Sequence, residues 1–158
     1  MSLVLATKAV IVSRLTANLL LKQALAKDPQ DPFTPAVFEG TYNTTDPVHP
    51  CVTFRLKEHR PDERFRATAA EGGGQSPIFG ATLEIECWDD RAASSVRIEQ
   101  IADAVCDELD GQPLTVSGGR GFHNVLEVRS EPMPDKERKV RFILLRFKLT
   151  LQSHIVHS

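Results

Sequence analysis

His49 and Cys51 come nearest, by type and spacing, to a metal or nucleophile site. They stand two apart at the head of an alternating run, so on a strand their side chains share a face. His59 or His123 could complete such a set. Zinc sites, however, announce themselves by paired ligands at tight spacing, and this is a single pair. Glu84 and Glu86 would place two carboxylates on one strand face, as acid–base catalysis uses them. No cleft signal accompanies them, so ion pairing with Arg and Lys is the plainer role. Cys106 as a nucleophile would need a histidine that nothing in the sequence places beside it. Gly72, Gly73 and Gly74 lack the lysine–serine ending and the following helix of a phosphate loop. No catalytic set, metal or cofactor is therefore expected.

The elements that position these residues centre on Gly80 to Leu114. Leu83, Ile85 and Cys87 alternate with Thr82, Glu84 and Glu86, which predicts a strand with one face buried and Trp88 as a packing anchor at its rim. After Asp89-Asp90-Arg91 the period changes. Ile98, Ile101, Ala102, Val105 and Leu109 fall at helical spacing, with Ser94 or Asp90 as N-cap and Gly111 and Pro113 as the stop. The helix folds back over the buried face of the strand, with Cys106 near its core edge.

Around this unit the remaining elements follow in order. Leu3 to Lys27 reads as one amphipathic helix, with Val4, Val10, Ile11, Leu15, Leu19 and Leu25 on its apolar stripe, ended by Asp28-Pro29 and Asp31-Pro32. Lys8, Arg14 and Lys22 interrupt the apolar run, so neither a membrane span nor a signal peptide fits. Phe33 to Pro50 reads as an ordered connection with isolated aromatics and a short strand near Val37-Phe38. Cys51 to Glu58 is a strand with Val52, Phe54 and Leu56 on one face and Thr53, Arg55 and Lys57 on the other. Residues 59–77 form a long flexible hairpin loop. His123 to Arg129 is a strand with Leu126 and Val128 opposite Val125, Glu127 and Arg129. Arg138 to Gln152 is the longest strand, apolar on both faces over part of its length, and residues 153–158 are a loose tail.

The expected fold is α+β: one domain over residues 1–158, an antiparallel or mixed sheet of about four strands, and two helices on one face. A length of 158 residues suits one core, and a net charge of −2 gives no reason to expect a nucleic-acid binder. Three cysteines with no CxxC pair fit a reduced setting and use as small apolar residues. The face away from the helices would carry Thr53, Arg55, Lys57, Thr82, Glu84, Glu86, Glu127, Arg129, Arg146 and Lys148, with Val125, Phe142 and Leu144 on the same side. Apolar residues there favour contact with protein over bare water, so this face is expected to meet sister copies.

The layout from Leu3 to Gln152 resembles the tail-terminator, or tail-completion, proteins of long-tailed bacteriophages. The resemblance is carried by an N-terminal helix and a proline-led strand, His49-Pro50-Cys51-Val52-Thr53-Phe54. A long hairpin follows, then a strand ending in an aromatic and polar turn, Leu83 to Asp90. The helix Ile98-Glu99-Gln100-Ile101-Ala102-Asp103-Ala104-Val105 and a last strand of apolar and basic residues, Val140 to Leu151, complete it. The segment from Phe33 to Thr45 has no counterpart in the family's pattern. The resemblance implies a structural virion protein, not an enzyme, assembled in the host bacterial cytoplasm and residing at the head-facing end of the tail. It implies a ring, typically a hexamer, that caps the tail tube and joins it to the head connector, with no membrane partner and DNA only as cargo passing through the lumen. Subunit and partner contacts are then expected at Arg55, Lys57, Glu84, Glu86, Glu127, Arg129, Phe142, Leu144, Arg146 and Lys148, and at Gly72, Gly73 and Gly74 once the loop docks. The alternatives are another neck or tail component of similar fold, or a small ligand-binding or catalytic domain using His49, Cys51 and His123.

Overall fold

The structure is a computed structural model that describes residues 3–42, 45, 47–58, 78–91, 94–115 and 119–153. The chain runs α1 (Leu3–Ala17), α2 (Leu19–Ala24), β1 (Lys27–Asp28), β2 (Asp31–Pro35), β3 (Val37–Glu39), β4 (Cys51–Glu58), β5 (Ile78–Asp89), α3 (Val96–Leu109), β6 (Gly119–Arg129), β7 (Met133–Asp135) and β8 (Val140–Ser153). The main sheet has six strands in the order β3-β4-β5-β8-β6, with β7 paired to β8. β3 and β4 are parallel and the other pairs antiparallel. The α+β class holds. The sheet is larger than four strands because short β3 and β7 extend the four long ones. The loop at residues 59–77, with Gly72, Gly73 and Gly74, lies outside the described residues, as do residues 154–158.

The main core lies between the sheet and the helices. Phe54, Leu83, Ile85, Leu145 and Phe147 from the sheet and Ile98, Ile101, Val105 and Leu109 from α3 are buried in it. These are the positions at which alternation in the strands and 3.6-residue spacing in the helix agree. The end of α3 is tied down twice. Asn124 Nδ2 donates to the Leu109 carbonyl at 2.9 Å. Gly111, at φ 70°, donates its N–H to the Asn124 carbonyl at 2.7 Å; only glycine adopts that backbone without strain. At the other end Ser95 occupies the N-cap position, not Ser94 or Asp90, although Ser94 Oγ accepts from the Val96 N–H at 3.2 Å.

The expected single helix from Leu3 to Lys27 is two. The chain leaves helical geometry at Asn18 (φ −68°, ψ 123°), whose Oδ1 accepts from the Leu21 N–H at 3.0 Å. A short polar side chain that satisfies an orphan N–H starts a new helix there. The break turns Leu19 outward, 74% exposed, and buries Leu21 in its place, while Leu25 is buried as expected. Asn18→Ala should cost about 1 kcal/mol, read as a lower urea midpoint with unchanged slope; a loss near zero would mean that packing alone sets the break.

The short strand expected near Val37-Phe38 is β3, and the residues expected to end the first helix and open the connection also form a two-stranded ribbon, β1 with β2. Asp28 and Asp31 hold it by accepting from the Gln30 and Phe33 N–H groups at 2.8 and 3.1 Å, the local bonding that makes aspartate a turn residue.

A further correction concerns β6. Its register against β8 shifts between Leu126 and Val128, so Leu126 faces Phe147 and Val128 faces Arg146. One extra residue in a strand reverses the faces of everything beyond it. Val128 therefore joins the outer row. Arg129 moves to the helix side, where its Nη1 donates to Asp103 Oδ1 of α3 at 2.6 Å.

Candidate interface on the outer face of the sheet

The strand pairings lay the outer face out in four rows. Cys51, Trp88, Phe142 and Met133 form the first row, and Phe38, Thr53, Glu86 and Leu144 the second. Arg55, Glu84, Arg146 and Val128 form the third, and Lys57, Thr82, Lys148 and Val125 the fourth. The face thus grades from aromatic to basic along the strands.

At the aromatic end Trp88 stacks between Tyr42 and Phe142, with ring centroids 4.2 and 4.8 Å away. Its Nε1–H donates to Thr53 Oγ1 at 3.1 Å. Tyr42 also contacts His49 Nε2 through its hydroxyl, and the Arg138 guanidinium lies 5.6 Å from the Tyr42 ring centroid. Ala36, Tyr42, Cys51, Trp88 and Val140 form a second buried cluster, with Phe38, Val48 and Phe142 packed against it. Phe142 and Leu144, expected to await a sister copy, are half-buried within the chain. Phe142 stacks on Trp88 and packs against the second cluster, and the Leu144 N–H donates to Ser130 Oγ at 2.9 Å. Trp88 is an anchor as the sequence implied. Tyr42 was missed, although an isolated aromatic in a polar connection was its visible signal.

At the charged end Glu84 lies between two guanidinium groups, 3.2 Å from Arg55 and 3.6 Å from Arg146. Glu86 lies 3.6 Å from Arg55. Burial raises the Glu86 pKa; Arg55 opposes that shift and neighbouring Glu84 adds to it. A shallow groove of about 500 Å³ runs between Arg55, Lys57, Thr82, Glu84 and Arg146. The expected ion-pair role of Glu84 and Glu86 is what the geometry displays. Lys148 and Glu127 are exposed, and Val125 and Val128 are 56% and 38% exposed beside them.

The chemical candidates fare differently. Burial pushes the Cys51 thiol up to about 12, so it is not a thiolate near neutral pH. His49 is engaged by Tyr42. Burial likewise raises the half-buried Cys106 thiol, at the core edge of α3 as expected, and places Cys87 wholly in the core. His59 and the His123 side chain lie outside the described residues. Among the described residues no three His, Cys, Asp or Glu side chains gather as a metal site, and no helix is long and apolar enough to cross a membrane.

No family model matches the sequence, and no curated protein matches it. Solved structures do share its fold. A chain of the virion of a native gene transfer agent (GTA) particle superposes with a TM-score of 0.67 at 18% identity, over 97% of this chain and 100% of that one. A second solved chain has a TM-score of 0.61 at 12% identity, over 94% of this chain and 95% of its own length. At such identities the likeness is one of fold: this arrangement of helices and sheet also builds a chain of a virion.

Proposed function

We propose that this protein is a structural component of a phage-like virion, with no enzymatic role. It forms a hexameric ring at the head-proximal end of the tail tube, ends tube growth and joins the tube to the head connector, while DNA passes through its lumen. The observation that carries this reading is the fold shared, over 97% of this chain and 100% of the other, with a chain of a virion particle. The layout resemblance to tail-terminator proteins supplies the position in the particle. No strand pairs with the outer edge of β6 among the described residues; Gly111 and Asp110 occupy the Asn124 carbonyl and the Leu126 N–H on it, and the exposed Val125 and Val128 beside it offer surface for a neighbouring copy. A repeated contact between two unlike surfaces closes into a ring when its rotation allows. The competing use of His49 and Cys51 as a ligand site gains nothing from a buried, protonated thiol and an engaged imidazole.

Light scattering and electron microscopy of the purified protein, alone and with tail tubes, test this. The expected result is rings of about 105 kDa, six copies of the 17.5 kDa chain, that bind tube ends and stop further growth. A monomer at high concentration that also ignores tail tubes would overturn the proposal. Rings that bind a neck protein but not tube ends would assign the chain to another neck component.

A further inference from the structure

The outer face of the sheet and the outer side of α3 carry opposite charge. On the sheet, Arg55, Lys57, Arg146 and Lys148 outnumber Glu84 and Glu86, and those two acids are already held by Arg55 and Arg146. Lys57 and Lys148 are exposed and have no ion pair or hydrogen bond among the described residues. The opposite surface of the molecule is α3, whose inner side is packed on the sheet. From Val96 to Asp110 its sequence holds Glu99, Asp103, Asp107, Glu108 and Asp110 against Arg97 alone, and Arg97 is taken up by Asp89. Gln100, Asp103 and Asp107 recur at helical spacing and all are exposed; Asp110, the C-cap residue just past the helix, is exposed as well, and its Oδ1 accepts from the Leu126 N–H at 2.8 Å. Arg129 and Arg14 flank this stripe and are occupied by Asp103 and Glu108. Asp107 has no partner among the described residues.

We propose that the basic groove on the sheet is the docking surface for the acidic stripe of α3 from a second copy of this chain. The dimensions agree. From Gln100 to Asp107 the helix advances about 10 Å, and two strand spacings, from β8 to β4, also measure about 10 Å. Both unpaired cations lie in the fourth row, at the end of the groove, with Val125 beside Lys148 to give the contact an apolar margin. Because groove and stripe lie on opposite layers, the contact joins unlike surfaces and leaves each copy free to repeat it. This inference rests on the ring reading and names the surfaces through which the ring is built.

Two variants test it. One carries Lys57→Glu with Lys148→Glu, and the other Gln100→Lys with Asp107→Lys; none of these side chains holds the fold. Each variant alone should need at least about 100-fold more protein to assemble, because it sets like charges face to face. A 1:1 mixture should assemble again, within about threefold of the wild type, since in an alternating ring the reversed groove of one variant meets the reversed stripe of the other and the two unaltered surfaces meet each other. Assembly of the unaltered protein should also weaken at least about tenfold between 0.05 and 0.5 M salt. Variants that assemble like the wild type, or a mixture that fails although both variants keep the wild-type melting temperature, overturn the docking surface and leave the ring standing. Should a variant melt early, salt-independent assembly of the wild type overturns it equally. A wild type that stays monomeric with tail tubes present overturns the ring reading itself.

Discussion

Trp88→Ala is expected to destabilise the protein by about 3–5 kcal/mol. The side chain is 3% exposed although it sits on the face of the sheet turned away from the main core. It is the central ring of the Tyr42–Trp88–Phe142 stack and the donor to Thr53. Its removal opens a space that β5 cannot close, because Cys51 and Phe142 are fixed opposite it by the ladder, and it leaves a buried hydroxyl without its donor. Trp88→Phe keeps most of the apolar contact and should cost less, about 1–3 kcal/mol, largely for the stranded Thr53. Trp88 is the sole tryptophan, so the comparison needs far-ultraviolet circular dichroism in urea and not intrinsic fluorescence. A loss below about 1 kcal/mol for the alanine variant would mean that the aromatic end of the outer face is a loose cover and not a second core.

That second core also marks where sequence reasoning reached its limit. Period-two alternation assigns each strand residue to a face, so Arg55, Glu84, Arg146 and Lys148 could be placed together on the outer side before any pairing was known. The change of period after Trp88 likewise identified α3 and the residues it buries. What alternation cannot say is what lies over a face. Tyr42 reaches Trp88 across 46 positions, and nothing local to either residue encodes that contact. The same blindness explains Arg129. Alternation holds through Leu126, but one extra residue at Glu127 reverses the faces, and a bulge leaves no signature in hydropathy. Asn18 failed for a different reason. Leu19, Leu20 and Leu21 continue the apolar run across the break, so the period looked continuous where a local cap overrode it. The layer architecture was therefore accessible, whereas cover, bulge and break depended on contacts that only the folded chain brings together.

The link between sheet and helix layer offers a second large effect. Asp89, at the end of β5, is 1% exposed, and Arg97 in the first turn of α3 grips it with two hydrogen bonds, one of them Nε–H to Oδ2 at 2.9 Å. Arg97 also reaches Asp90 Oδ1 at 3.2 Å. Burial acts to raise the Asp89 pKa, but the hydrogen bonds from Arg97 and from the Arg91 N–H, with the charge of Arg97, outweigh it and hold the group below its ordinary value. A carboxylate with a depressed folded-state pKa adds stability above its unfolded pKa of about 3.9, and that contribution is lost as pH falls through the folded value. Arg97→Ala should therefore cost about 3 kcal/mol near neutral pH, because it leaves a buried carboxylate with only the Arg91 N–H. In that variant burial prevails, the folded-state pKa of Asp89 rises above the unfolded one, and the sign of the pH dependence reverses. Acidification then protonates Asp89 and relieves the variant while it weakens the wild type, so the gap between their urea midpoints should shrink from pH 7 to pH 3. Adding Asp89→Asn to Arg97→Ala removes the charge at nearly constant shape and should recover part of the loss at pH 7 and little at pH 3. A gap that stays constant with pH would assign the role of Arg97 to the packing of its methylenes and not to the ion pair.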